Sequence, residues 1–193
     1  MATGKTMPER THSAKPTAEK TAAWQQYEVQ EPYPEIRAEQ RNPMYARAML
    51  DNMGGSDSEM STVSLYFYNH LITHDREEIA LAFHKISIVE MHHLEIFGAL
   101  ALQLGADPRL WTDQGRRKSY WTPGYNRYPR CLKCLLNNAI EGEKRAIAKY
   151  RRQCGWIRDT NIVANLERIL LDEEAHVRIL EHLQADCTQE QKT

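Results

Sequence analysis

The stretch ILLDEEAHVRIL, residues 169–180, places two glutamates, an aspartate and a histidine inside an apolar run with helical spacing. Ile169, Glu173, His176 and Leu180 share one stripe, because residues three and four apart lie on the same face of a helix. Glu173 and His176 therefore point where the apolar side chains point, into a core. A second segment repeats the arrangement: in KISIVEMHHLEIFG (85–98), Ile86, Glu90, His93 and Phe97 fall on one stripe. The Glu-x-x-His motif is weak on its own, since Glu9 and His12 near the N-terminus form a third, accidental copy.

An acid one helix earlier in each half strengthens the reading. Glu59 precedes Glu90 by 31 residues and Glu143 precedes Glu173 by 30. The midpoints fall at His74-Asp75, where Asp75 followed by Glu78 reads as a helix start, and at residue 158, between Gly155 and Asp159. An antiparallel hairpin brings residues equidistant from its turn to one level, so each lone glutamate should meet its own Glu-x-x-His pair. Two hairpins then gather Glu59, Glu90, His93, Glu143, Glu173 and His176 at one level of a bundle, which matches the ligand set of dinuclear carboxylate proteins.

Four segments carry the 3.6-residue period: 43–73, interrupted at Gly54-Gly55; 76–104, closed by Gly105 and Pro108; 130–153; and 160–184. Strand-like alternation is absent, so the class is all-α. The connection ADPRLWTDQGRRKSYWTPGYNRYPR (106–130) is long and rich in Gly, Pro and aromatic residues. A four-helix bundle with one long crossover between helices 2 and 3 is the ferritin-like topology. Residues 1–30 lack apolar periodicity and read as a flexible tail, 31–185 as the bundle domain and 186–193 as a C-terminal tail. EPYPEIRAEQRNP (31–43) reads as an extended arm that delivers Pro43 to the first helical turn.

The 193 residues suffice for one domain with a sizeable core. Net charge is −1, from 25 basic and 26 acidic side chains mixed along the chain, which argues against a nucleic-acid or anionic-membrane partner. No apolar run spans a bilayer and the N-terminus has no signal-peptide core, so a cytoplasmic protein is expected.

The chemistry explains the residue types. Four buried carboxylates repel one another and cost several kcal/mol each to desolvate, and two divalent cations would neutralise them. An oxygen-rich set with one imidazole per ion suits Mn²⁺ or Fe²⁺ better than zinc or copper. Other acids compete for these roles. Ser56 and Glu59 can be read as a capping box, and Glu141 competes with Glu143. Glu141 faces Arg145 at i+4, as a surface pair would, whereas Glu143 shares a stripe with Ile140, Ile147 and Tyr150. Glu174 and His92 sit one residue off the ligand positions and read as solvent-facing or outer contacts. Met44, Met60, Tyr66 and Tyr68 read as core or interface, with Tyr66, two turns beyond Glu59, at the periphery of the site. Cys131 and Cys134 (CLKC) stand at the start of the third segment, where a helix N-terminus favours thiolate, so a redox dithiol is one reading and simple packing the other.

PYPEIRAEQRNPMYARAMLDNMGGSDSEMSTVSLYFYNHL (32–71), IVEMHHLEIFGALALQLGADPRLW (88–111), AIEGEKRAIAKYR (139–151) and ILLDEEAHVRIL together resemble the manganese-catalase-like branch of the ferritin-like superfamily, with its short bacterial and spore-coat members. The resemblance implies terminal carboxylates at Glu59 and Glu143, bridging ones at Glu90 and Glu173, and one metal capped by each of His93 and His176. It implies hydrogen peroxide as substrate, with the metal pair cycling between two oxidation levels as one peroxide is reduced to water and the next oxidised to dioxygen. The chain stops soon after its fourth helix, without the C-terminal extension of full-length manganese catalases. Rubrerythrins carry a further glutamate three residues beyond the third-helix ligand, where this chain has Ala146, and a rubredoxin domain that this chain lacks. Peroxide disproportionation is the first expectation. A di-iron peroxidase, oxidase of dioxygen or ferroxidase with an external donor is the second, and a non-catalytic metal-binding or coat subunit the third. A homo-oligomer is expected.

Overall fold

The computed structural model describes residues 26–113 and 117–190. Among them are five α-helices: α1 (Pro43–Gly54), α2 (Glu59–Ile72), α3 (Glu77–Gln103), α4 (Leu132–Trp156) and α5 (Thr160–Glu190). Helices α1 and α2 together form the first rod of a four-helix bundle. The rod starts where the sequence predicts, with Asn42 accepting from the amides of Met44 and Tyr45 at 3.0 and 3.2 Å and Pro43 in the first turn.

The rod breaks at Gly54-Gly55 because another chain segment needs the space. A β-carbon on Gly54 would lie 2.6 Å from the amide nitrogen of Trp111, so only glycine lets the crossover pass this close. The capping box read at Ser56 does not form. Ser58 caps α2 instead, accepting from the Ser61 amide at 3.3 Å, and Glu59 becomes the first helical residue. Asp75 is likewise not the cap of α3; Arg76 holds that position, with no side-chain hydrogen bond to the helix's first amides. The α3 helix closes on Gly105, whose φ of +96° supplies the left-handed turn that glycine favours. At the other hairpin Asp159 accepts from the amides of Asn161 and Ile162, at 3.1 and 3.2 Å, and starts α5. Gly155 lies within α4, and α5 runs to Glu190, so the tail expected from 186 is helical for five residues.

The crossover contains a short hairpin that the sequence does not announce. Strands β1 (Trp111–Asp113) and β2 (Lys118–Tyr120) pair antiparallel, Trp111 opposite Tyr120. Three-residue strands are too short to display alternation, and side chains reinforce their pairing, with Lys118 lying 4.2 Å from the Trp111 ring centroid. Trp121 and Asn126 then tie the crossover to Ser61 of α2, at 3.0 and 2.9 Å.

Two apolar clusters fill the bundle. One joins α1, the C-terminal half of α3 and the N-terminal half of α5 around Met49, Phe97, Leu100 and Leu166. The other joins α2, the N-terminal half of α3, the N-terminal half of α4 and the C-terminal half of α5 around Phe83, Ile86, Leu136 and Leu180. Each fully buried large side chain contributes roughly 1.5–3 kcal/mol. Between the two clusters runs a layer of buried polar groups. Met44, expected in the core or an interface, is exposed, while Tyr68 meets Tyr128 of the crossover edge-to-face with ring centroids 4.9 Å apart.

Residues 1–25 of the expected tail lie outside the described residues. Residues 27–31 are fastened to α5: the Val29 amide donates to Asp172 at 2.7 Å, and Arg168 donates to the carbonyls of Val29 and Glu31 at 2.6 and 2.7 Å. The arm therefore begins earlier than residue 31, and its polar backbone is satisfied by α5 rather than by secondary structure of its own.

Candidate metal centre

All six residues read from the sequence stand in the polar layer, none more than 2 % exposed. Their ligand atoms form two groups, each within a span of 4.8 Å: Glu59, Glu90, His93 and Glu173, and Glu90, Glu143, Glu173 and His176. Glu90 and Glu173 belong to both, so the α3 and α5 acids occupy the middle, while Glu59 and Glu143 stand at the two ends.

The histidines show which atoms face inward. Nδ1 of His93 lies 3.1 Å from Glu90 Oε2 and 3.3 Å from Glu173 Oε1, and Nδ1 of His176 lies 2.9 Å from Glu90 Oε1. Both Nε2 atoms point outward. His93 Nε2 meets Asp172 Oδ2 at 3.3 Å and the Tyr33 hydroxyl at 3.2 Å; His176 Nε2 meets the Tyr27 carbonyl at 3.0 Å. An outward N–H donated to these acceptors leaves the Nδ1 lone pair free for a cation, as metal-ligating histidines require.

Two tyrosines hold the end carboxylates across the hairpins. Tyr66, on α2, donates to Glu143 Oε1, and Tyr150, on α4, donates to Glu59 Oε1. Tyr66 follows Glu59 by seven residues, as Tyr150 follows Glu143, so each tyrosine reaches from one hairpin to the other's acid. Tyr66 is thus in direct contact with a site residue. Asp172 receives Arg168 at 2.7 Å, the Val29 amide and the Tyr33 hydroxyl, and the Arg168 guanidinium lies 4.1 Å from the Tyr33 ring centroid.

Charge is poorly compensated in this layer. Burial, then the charge of Glu90, push Glu59 up to about 8, and the same two causes push Glu173 up to about 7. Burial also raises Glu90 and carries Glu143 well above the usual carboxylate range, with Glu143 and Glu173 respectively adding repulsion. Burial lowers His93, but contacts with Asp172, Glu173 and Glu90 outweigh it and hold the imidazole well above its ordinary value. Asp172 is different: burial opposes its charge, yet His93, Tyr33, the Val29 amide and Arg168 keep it well below the usual range. Glu90 Oε1, both carboxylate oxygens of Glu173 and His176 Nδ1 are buried without hydrogen-bond partners, although His176 Nδ1 and Glu90 Oε1 are close. Such atoms are costly unless a cation satisfies them, and the donor set of hard oxygens with one imidazole per group fits Mn²⁺ or Fe²⁺.

A cavity of about 360 Å³ leads from the surface between α2 and α4 to Glu59, Tyr66 and Tyr150. Gly142 and Ala146 line its α4 side, so the small side chain at 146 widens the approach to the acids. Glu141 is exposed, and its expected partner Arg145 turns instead to Asp57 at 2.8 Å. Glu174 pairs with Arg151 at 2.7 Å, and His92 stacks on Tyr33 with centroids 4.4 Å apart. Cys131 and Cys134 are joined as a disulfide, outside this layer.

Asp172, Arg168, Tyr33 and Tyr150 are the residues that sequence reasoning missed as part of the site. Tyr150 had a signal, its repeat of the Glu59-to-Tyr66 interval. Arg168 and Asp172 had the i+4 spacing of a helical ion pair. Nothing in the arm marks Tyr33.

Bundle, crossover and buried layer define a protein of the ferritin-like fold whose core carries two Glu/His groups able to hold a metal ion. Known structures agree with the fold. KatB, a manganese catalase from Anabaena, superposes with a TM-score of 0.74 at 21 % identity, covering 83 % of this chain and 80 % of that one. A dodecameric thioferritin, the bacterioferritin-related protein of Bacteroides fragilis, does so with a TM-score of 0.63 at 17 % identity, covering 79 % and 92 %. No protein-family model and no curated protein sequence matches the chain.

Proposed function

We propose that the chain binds two manganese or iron ions and disproportionates hydrogen peroxide. The observation that carries this is the pair of buried four-residue groups sharing Glu90 and Glu173. In this reading Glu59, Glu90, Glu173 and His93 hold one ion and Glu143, Glu90, Glu173 and His176 the other. The pair, when bound, would supply the electrons and take them back. Two divalent ions would balance the four carboxylates, whose raised affinity for protons reflects burial first and mutual repulsion second.

The chain's own groups supply geometry and seclusion. Tyr66 and Tyr150 fix the end carboxylates, while Asp172 and the Tyr27 carbonyl fix the histidine tautomers. Glu59, which meets the cavity, is placed to exchange a proton with an entering peroxide. The apolar clusters above and below keep bulk water from the layer.

A di-iron peroxidase, oxidase or ferroxidase fed by an external donor is the second reading, favoured by the fold likeness to the bacterioferritin-related protein. Ala146, in place of the further glutamate of rubrerythrins, weighs for the first. Exposed Phe67 and Leu71 on α2 and Ile88 and Met91 on α3 suit a homo-oligomer. No helix among the described residues is long and apolar enough to cross a membrane.

Elemental analysis of the purified chain, with oxygen evolution from added peroxide on the same sample, tests the proposal. Two manganese per chain with rapid dioxygen release supports disproportionation. Two iron with little dioxygen favours the second reading, and no bound metal after reconstitution overturns both. Unchanged metal content and turnover in the double variant Glu90→Ala, Glu173→Ala would show that the site is elsewhere.

A further inference from the structure

Cys131 and Cys134 stand apart from the metal layer. Their disulfide joins residues three apart, with Cα atoms 5.2 Å from each other. A bridge this short restricts the unfolded chain very little, since the stabilisation of a disulfide grows with the loop it closes. Both residues are exposed, so the sulfurs do not fill the core either. No group of three or more metal-binding side chains among the described residues includes them. Stability, packing and metal binding therefore leave the pair unexplained.

Its surroundings are those of a reactive sulfur. Cys131 is the N-cap of α4, and its Sγ accepts from the Cys134 amide at 3.2 Å. A 25-residue helix thus points its positive end at this sulfur. The first turn carries no acid, and exposed Arg130 and Lys133 flank Cys131. Each feature stabilises a thiolate on Cys131 and makes it the better leaving group and attacking sulfur. Cys134, inside the helix, lacks the cap position and is placed to resolve.

We propose that Cys131–Cys134 is a thiol–disulfide exchange site that takes two electrons from an external vicinal dithiol, a function distinct from the metal centre. One reductant thiolate attacks Cys131 Sγ, the S–S bond breaks, and its electron pair leaves on Cys134, which takes a proton. The second reductant sulfur then attacks the first, forming the reductant's own disulfide and releasing Cys131 as thiolate. The balance is two thiols and a disulfide in, a disulfide and two thiols out.

Dithiothreitol and glutathione serve as probes on the full chain. After reduction, the rate of Cys131 alkylation by iodoacetamide is followed against pH by peptide mass spectrometry, with Cys154 and Cys187 as internal references. The expected midpoint for Cys131 lies at least one pH unit below the roughly 8.5 of an ordinary thiol. Cys134→Ser is expected to accumulate a glutathione adduct on Cys131 from oxidised glutathione. Cys131→Ser, which keeps a capping hydroxyl and hence the helix start, should form at least tenfold less adduct on Cys134. An ordinary midpoint for Cys131, equal adducts in the two variants, or loss of helix on reduction of the native chain would each overturn the proposal, the last by showing a structural bridge.

Discussion

The two halves of the bundle contribute the same side chains to the polar layer and support them differently. Each hairpin supplies one glutamate, one Glu-x-x-His pair and one tyrosine that crosses to the other half. The difference lies behind the histidines. His93 rests on the ionised Asp172, itself held by Arg168, Tyr33 and the Val29 amide, whereas His176 rests on the neutral carbonyl of Tyr27. Asp172 immediately precedes Glu173; the residue preceding Glu90 is the buried Val89. One histidine is thus backed by charge and the other by backbone, and the arm contributes to both. A carboxylate behind an imidazole raises its basicity more than a carbonyl does, so the proposed His93 half should hold its ion more tightly.

Asp172→Ala attacks that difference most directly. It strands the buried Arg168 guanidinium, which should cost about 3–5 kcal/mol in a denaturant titration. Metal retention against a chelator should fall roughly 10–100-fold at one of the two ions. Equal loss of both ions would show that the halves do not act separately. Tyr66→Phe and Tyr150→Phe probe what the halves share: each removes a hydrogen bond to a carboxylate and should cost roughly 1.5–3 kcal/mol. The two losses should match closely in paired melts of the metal-loaded protein, and clearly unequal losses would extend the asymmetry to the tyrosines.

The pH dependence of stability separates the layer from its supports. In the metal-free fold Glu59 and Glu173 titrate near 8 and 7, above the roughly 4.3 of an unfolded glutamate. The folded chain binds these protons more tightly than the unfolded one, so the stability they confer is complete below about pH 4.3 and is lost progressively as pH rises from there to the folded values near 7 and 8. The melting temperature of metal-free protein should therefore fall between about pH 4 and 8 and level off above, and that of loaded protein should change less. An equal slope in both would show that the carboxylates are not neutralised by metal. The smallest effect is expected outside the layer. Glu141→Gln should shift stability by less than about 0.5 kcal/mol and leave metal content intact, in contrast to Glu143→Gln.

Local rules placed much of this molecule. The Pro43 start, the break at Gly54-Gly55 and the turns near 75 and 158 follow from backbone chemistry, and the inward-facing acids from helical period. Errors arose where two local options competed. Ser56 and Ser58 are both good caps, and it is Ser58 that closes the turn. Arg145 has an i+4 partner in Glu141, yet Asp57, in the turn between α1 and α2, takes it. The β1–β2 hairpin is too short to show alternation, and the docking of residues 27–31 carries no periodic signal because its hydrogen bonds go to distant side chains.

The sequence by itself determined an all-α bundle, its two hairpins, and six metal-type side chains placed at one level by equal distances from two turns. Tertiary structure alone decided which acids lie in the middle, which imidazole nitrogen faces inward, and which histidine is backed by a charge. Helical period and turn position are properties of neighbouring residues, whereas the support behind each histidine comes from contacts 79 and 149 residues away in the chain, which only the folded arrangement brings together.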